Sequence, residues 1–126
     1  MKKLLKIVLL SSVPLVMFSC YYDEFPEEIE ASIPEIPEEQ VVSFNNDITP
    51  IFVTYNCTEC HSPATLGQSP DLTPGREYNS LVPAYVTAGN PDGSKLYTQL
   101  AGGHRNVDPT SLALIKKWIT DGAENN

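Results

Sequence analysis

Two cysteines and a histidine stand together at Cys57-Thr58-Glu59-Cys60-His61, a C-x-x-C-H. In an exported chain this spacing reads as the attachment of one covalent c-type haem. Each cysteine sulfur adds to a haem vinyl group as a thioether, and His61 follows as the proximal ligand to the iron. The spacing reflects that chemistry: two intervening residues let one short helical turn bring both sulfurs to the same porphyrin edge. One axial position of the iron is then still to be filled. The same donors leave two other readings open. Cys57, Cys60, His61 and His104 make a Cys2His2 set for zinc, and C-x-x-C alone is the spacing of a thioredoxin-like dithiol. Adjacent Cys60 and His61 suit a tetrahedral ion poorly, and no strand pattern precedes the motif as a thioredoxin-like site would need.

Attachment of this kind requires export, and the N-terminus supplies a segment of that form. Met1 to Lys6 is basic, and Ile7 to Phe18 is a short apolar run interrupted by Ser11, Ser12 and Pro14. It is too short to span a membrane and reads as a signal peptide over residues 1–19. Met17-Phe18-Ser19-Cys20 has the outline of a lipobox, with Phe18 bulkier than is usual, so Cys20 is the expected lipidation site. Plain secretion with cleavage elsewhere is the alternative. With Cys20 assigned to a lipid, the remaining two of three cysteines both belong to the haem motif and none is left for a disulfide.

Residues 20–42 read as an acidic linker. Eight acids and no base lie between 21 and 40, together with Pro26, Pro34 and Pro37. Phe25, Ile29, Ile33 and Ile36 recur every three or four positions, but the prolines oppose a helix, and an extended, self-repelling, disordered tether is expected. The rest of the mature chain holds eight acids against five bases, so −8 from the tether and −3 from the remainder give −11. Such a charge excludes nucleic acid as a partner, because phosphate binding needs a basic face. It also repels an anionic membrane, which leaves the lipid to hold the chain there. Tyr21 rather than Asp after Cys20 favours the outer membrane. The acidic run Tyr22 to Phe25 resembles signals that export some Bacteroidota lipoproteins to the cell surface, with a periplasm-facing anchor as the alternative.

The domain, 43–126, must position the motif with helices. Asn46 and Asp47 followed by Pro50 form a helix start, and Ile48, Ile51, Phe52 and Tyr55 share one face that leads straight into Cys57. Residues 62–75, rich in Ser, Pro, Gly and Thr, read as a loop around the haem edge. A helical turn is expected over 76–81, an extended Tyr85-Val86 beyond Pro83, and a turn at Asn90-Pro91-Asp92-Gly93. Ser94 to Ala101 reads as a short helix with Leu96, Tyr97 and Leu100 inward. The last helix is the most strongly marked: Asp108 caps it, Pro109 opens it, Leu112, Ile115, Trp118 and Ile119 form its stripe, and Gly122 ends it. No run alternates like a strand, so the fold class is all-α.

An apolar helix before C-x-x-C-H and a Trp-bearing amphipathic helix at the end resemble a class I c-type cytochrome. Ser43 to Phe52, Gly89-Asn90-Pro91 with Ser94-Lys95-Leu96-Tyr97, and Trp118 to Ala123 are similar to the small cytochrome domains of exported bacterial proteins, including Bacteroidota lipoproteins. The resemblance implies three to four helices around the haem, with the first and last crossing so that Phe52 and Tyr55 meet Ile115, Trp118 and Ile119. It also implies a methionine before the last helix as second axial ligand. This chain departs there, since its only methionines are Met1 and Met17. His104 stands at that place, behind Gly102 and Gly103, and is the only other histidine. It is the candidate second ligand; a plain surface histidine, or an open iron site suited to gas or peroxide, are the alternatives. A bis-His site lies below a Met/His site in potential.

Arg76 and Arg105 are candidates for a haem propionate, with a solvated surface position as the plain alternative. Tyr78, Tyr97 and Trp118 read as packing residues, and Glu59 as an exposed position within the motif. The function expected is electron transfer with an unidentified redox protein partner, without catalysis beyond a weak peroxidase-like activity.

Overall fold

The computed structural model describes residues 32–126. The expected signal peptide, Cys20 and the first part of the acidic linker lie outside the described residues. Among the described residues four α-helices carry the fold: α1 (Thr49–Thr54), α2 (Glu77–Leu81), α3 (Lys95–Ala101) and α4 (Pro109–Thr120). Short 3-10 turns at Cys57–Glu59 and His104–Asn106 hold the motif and His104. No strand occurs among the described residues, only an isolated bridge between Thr87 and Asn90, so the described chain is all-α.

The first helix begins earlier than its sequence pattern indicates. A π-helical turn, Phe44–Ile48, precedes α1, and its cap is Ser43 rather than Asn46. The Ser43 hydroxyl accepts from the Asn46 N–H at 3.2 Å, while the Ser43 N–H donates to Asp47 at 2.7 Å. Pro50 explains the wide turn. It has no N–H for the Asn46 carbonyl and its ring crowds that oxygen, so the chain uses i to i+5 bonding before the proline.

At the other end the sequence and structure agree closely. Asp108 accepts from the N–H groups of Thr110 and Ser111 at 2.8 and 3.1 Å, and Pro109 needs no partner in the first turn. Gly122, at φ 112°, closes the helix, with Gly122 and Ala123 donating back to Ile119 and Trp118. The left-handed conformation required there is the one glycine adopts without a Cβ penalty.

The core joins Phe44, Ile48, Phe52, Leu81, Tyr97, Ile115, Trp118 and Ile119. Phe44, not Phe52 or Tyr55, meets Trp118 ring to ring, at 5.1 Å between centroids. The π-turn carries this contact because it sets Phe44 a full turn ahead of α1. Tyr55 reaches α4 by another route: its hydroxyl donates to Asp108 at 2.7 Å and accepts from the Asp108 N–H at 2.9 Å. Tyr85 lies in a turn rather than an extended segment, its N–H donating to Leu81 at 2.7 Å.

Within the stretch expected to be linker, Ile33 and Ile36 are partly buried against the core and Val42 is buried. Their backbone is neither helix nor strand. A three-residue spacing matches the roughly three residues per turn of polyproline geometry, which returns Ile33 and Ile36 to the same side. The core therefore extends upstream of residue 43, along a segment whose exposed Glu35 and Glu38 remain in solvent.

Candidate haem site

The motif turn is built by the chain before it. Asn56 has a left-handed φ of 50°, which breaks the direction of α1 and starts the 3-10 turn at Cys57. The N–H groups of Cys60 and His61 both donate to the Cys57 carbonyl, at 3.2 and 2.9 Å. This winding leaves Cys57 buried and Cys60 half-buried, both as free thiols. Burial is the main influence on Cys57 and pushes its thiol up from the usual value, against an opposing pull from Arg105.

The 62–75 loop is tied back onto the motif. Gln68 donates to the Cys60 carbonyl at 2.9 Å, Leu72 to the His61 carbonyl at 2.8 Å, and the Thr65 hydroxyl to the Thr58 carbonyl at 2.9 Å. That loop also orients His61, whose Nδ1 lies 3.1 Å from the Pro70 carbonyl oxygen. A carbonyl can only accept, so Nδ1 is the donor here and Nε2 is the nitrogen left to meet a ligand. An imidazole fixed through one nitrogen with the other free is the arrangement found around metal-ligating histidines.

Beside the motif lies a cavity of about 450 Å³, within the range of roughly 300–1,000 Å³ typical of ligand sites. Phe52, Leu72, Leu81, Leu96 and Leu100 supply its apolar wall, and Cys57, His61 and His104 border it. The His61 and His104 rings stand 6.2 Å apart between centroids, with their planes 74° apart. Two imidazoles bound to opposite sides of one ion, at roughly 2 Å per metal–nitrogen bond, place their ring centres on the order of 6 Å apart. These are features a haem would use: an apolar cavity bordered by Cys57 and His61, and a second histidine at the matching separation; Cys60, on the same turn as Cys57, is not among the residues lining the cavity. The zinc alternative fits less well. No group of three or more His, Cys, Asp or Glu among the described residues is close enough to hold a metal ion.

The other candidates separate clearly. Arg105 is engaged by Glu59, 2.6 Å away, and by the Asn56 carbonyl at 2.9 Å. Glu59 is thus a partner of the His104 loop rather than a bystander in the motif. Arg76 pairs with Asp71 at 3.8 Å. Tyr78 donates to the Ala123 carbonyl at 2.9 Å and packs on Phe44 and Trp118, away from the cavity. Tyr97 is buried with the Lys116 ammonium 5.7 Å over its ring. Trp118 is buried, its indole N–H donating to the Glu124 carbonyl at 2.9 Å.

Lys95, Gln68, Gln99 and Tyr85 line the cavity without having been singled out by sequence reasoning. Lys95 could have been found, since it precedes the inward Leu96 on α3 and is one of few cations in an acidic domain. Tyr85 and Gln68 carry no such signal, because their positions depend on how two loops fold back. No helix among the described residues is long and apolar enough to cross a membrane. The chain matches no family model, and no curated protein and no solved structure matches it.

Proposed function

We propose that this chain is a membrane-tethered electron carrier with one covalent c-type haem, attached at Cys57 and Cys60 and held axially by His61 and His104. The observation that carries the reading is the pair of histidines, 6.2 Å apart between ring centres, both lining an apolar cavity that adjoins the C-x-x-C-H turn. Haem supplies an iron that accepts and returns a single electron. The chain's part is to hold and shield it. Pro70 fixes the His61 tautomer, Leu72, Leu81 and Leu100 exclude water, and Lys95 offers a cation on the cavity wall for a propionate. Replacement of methionine by a second histidine sets the potential below that of a Met/His carrier. Lipid attachment at Cys20 and an outer-membrane location, facing either the periplasm or the exterior, complete the proposal.

A second reading is favoured by one observation: His104 is exposed on a turn that follows a left-handed glycine, Gly103 at φ 95°. A ligand so placed can leave, giving an open iron site for a gas or peroxide. The two readings part on a direct test. A pyridine haemochrome spectrum of the purified protein is expected to show one c-type haem per chain; its absence overturns both. His104→Ala is expected to convert a low-spin spectrum to a high-spin one and to admit carbon monoxide readily. An unchanged low-spin spectrum in that variant refutes His104 as the ligand.

A further inference from the structure

The turn that bears His104 has a costly backbone. Gly103, Arg105 and Asn106 have φ of 95°, 62° and 50°. Left-handed conformations at two successive non-glycine residues persist only where surrounding structure over-determines them. Arg105's own side chain ties this turn to the haem-attachment turn, where both of its acceptors lie. One is Glu59, inside the C-x-x-C-H, at 2.6 Å; the other is the carbonyl of Asn56, at 2.9 Å. That carbonyl also accepts the N–H of Glu59 at 3.1 Å, so the guanidinium is anchored to the rigid start of the turn as well as to a side chain.

We infer that Glu59 and Arg105 are a positioning pair, a latch that holds the His104 turn at ligand distance from His61. The inference rests on the bis-His reading above and deepens it, by naming what sets the second axial position. Both bonds are made by one nitrogen, Nη2, whose two N–H groups lie in the guanidinium plane and so fix direction as well as distance, unlike the freely rotating ammonium of a lysine. Arg105 is adjacent to His104, so its fixation restricts the histidine's backbone directly. Without the latch, the two left-handed residues and Gly103 leave the turn free to relax, and His104 leaves the iron more often.

The pair is also accessible to salt. The side chains of Arg105 and Glu59 are 32% and 63% exposed, so added ions screen their attraction. The latch is consequently graded, its hold on the turn weakening as ionic strength rises.

The test uses the full chain with its haem, reduced, and carbon monoxide as the probe. At saturating gas the binding rate reports how often His104 departs. Glu59→Gln is expected to raise that rate roughly threefold, and Arg105→Gln roughly tenfold, in line with a partly exposed ion pair and an additional charged hydrogen bond. Arg105→Lys should fall between wild type and Arg105→Gln. The double variant should match Arg105→Gln alone, because Glu59 acts through Arg105. Added potassium chloride should accelerate the wild-type chain and leave Glu59→Gln unchanged, which a merely structural role for Arg105 would not produce. If His104→Ala accelerates binding while Glu59→Gln and Arg105→Gln do not, the latch is wrong and the axial assignment stands. If His104→Ala has no effect, the axial assignment fails and the latch falls with it.

Discussion

Asp108 joins three structural tasks in one side chain. It caps α4 through Thr110 and Ser111, accepts from the Ser111 hydroxyl at 2.6 Å, and accepts from Tyr55 at 2.7 Å. These bonds favour the carboxylate, the Ser111 hydroxyl most and the Tyr55 hydroxyl next, and lower its pKa from 3.8 to about 2. A depressed folded-state pKa gives stability that is present above the unfolded value and lost as pH falls through the folded one. Asp108→Ala is therefore expected to cost about 1 kcal/mol at neutral pH. The gap between variant and wild type should narrow as pH falls from 3.8 towards 2, as followed by urea titration at several pH values. The carboxylate is largely in solvent, so screening holds the effect well below what the shift alone implies.

At the scale of elements, the segment before residue 43 has a dual character. Its acids and prolines read as tether, yet Ile33 and Ile36 pack on the core. Replacing both by serine is expected to destabilise the domain by about 1–2 kcal/mol, since each side chain is only partly removed from water. The urea midpoint should drop, and the m-value should fall if this segment unfolds with the domain and is released by the substitution. A second joint closes the domain. Asn126 accepts from the N–H groups of Phe44 and Asn45 at 2.8 and 3.0 Å, and from the Ser43 hydroxyl at 2.9 Å. Asn126→Ala removes the acceptor for the Phe44 N–H at the head of the π-turn, and about 1 kcal/mol of stability should go with it. Thermal denaturation checks the loss.

The whole molecule is a small set of short helices around a cavity, with no disulfide among the described residues. A covalent cofactor that fills such a cavity acts as a staple, which domains of this size commonly need. If the proposed haem is that cofactor, chain produced with Cys57→Ala and Cys60→Ala should melt at a lower temperature than the unsubstituted protein and bind a hydrophobic dye. Equal melting of the two forms would show that the helices hold without the cofactor.

Much of this was legible in the residues themselves. The C-x-x-C-H turn, the capped and terminated α4 and the absence of strands among the described residues are local patterns, set by residue type and spacing over a few positions. The apolar stripe of Leu112, Ile115, Trp118 and Ile119 also named most of its own core face before its partner was visible. The start of the first helix differs from its sequence pattern because the cost of Pro50 is met by a π-turn capped by Ser43, which also brings Phe44 onto Trp118. The two-residue reach of Ile33 and Ile36 was hidden by the charge around them. The meeting of His104 with His61, and of Arg105 with Glu59, belongs to tertiary structure alone. No periodicity relates positions on two separate loops; their approach follows from the packing of α3 on α4 and of α4 on the π-turn that leads into α1. The sequence determined which candidate ligands the chain offers: His61 and His104, with no methionine beyond Met1 and Met17. Packing decided which of them face one another, because distance in space is fixed by the core that all the elements share.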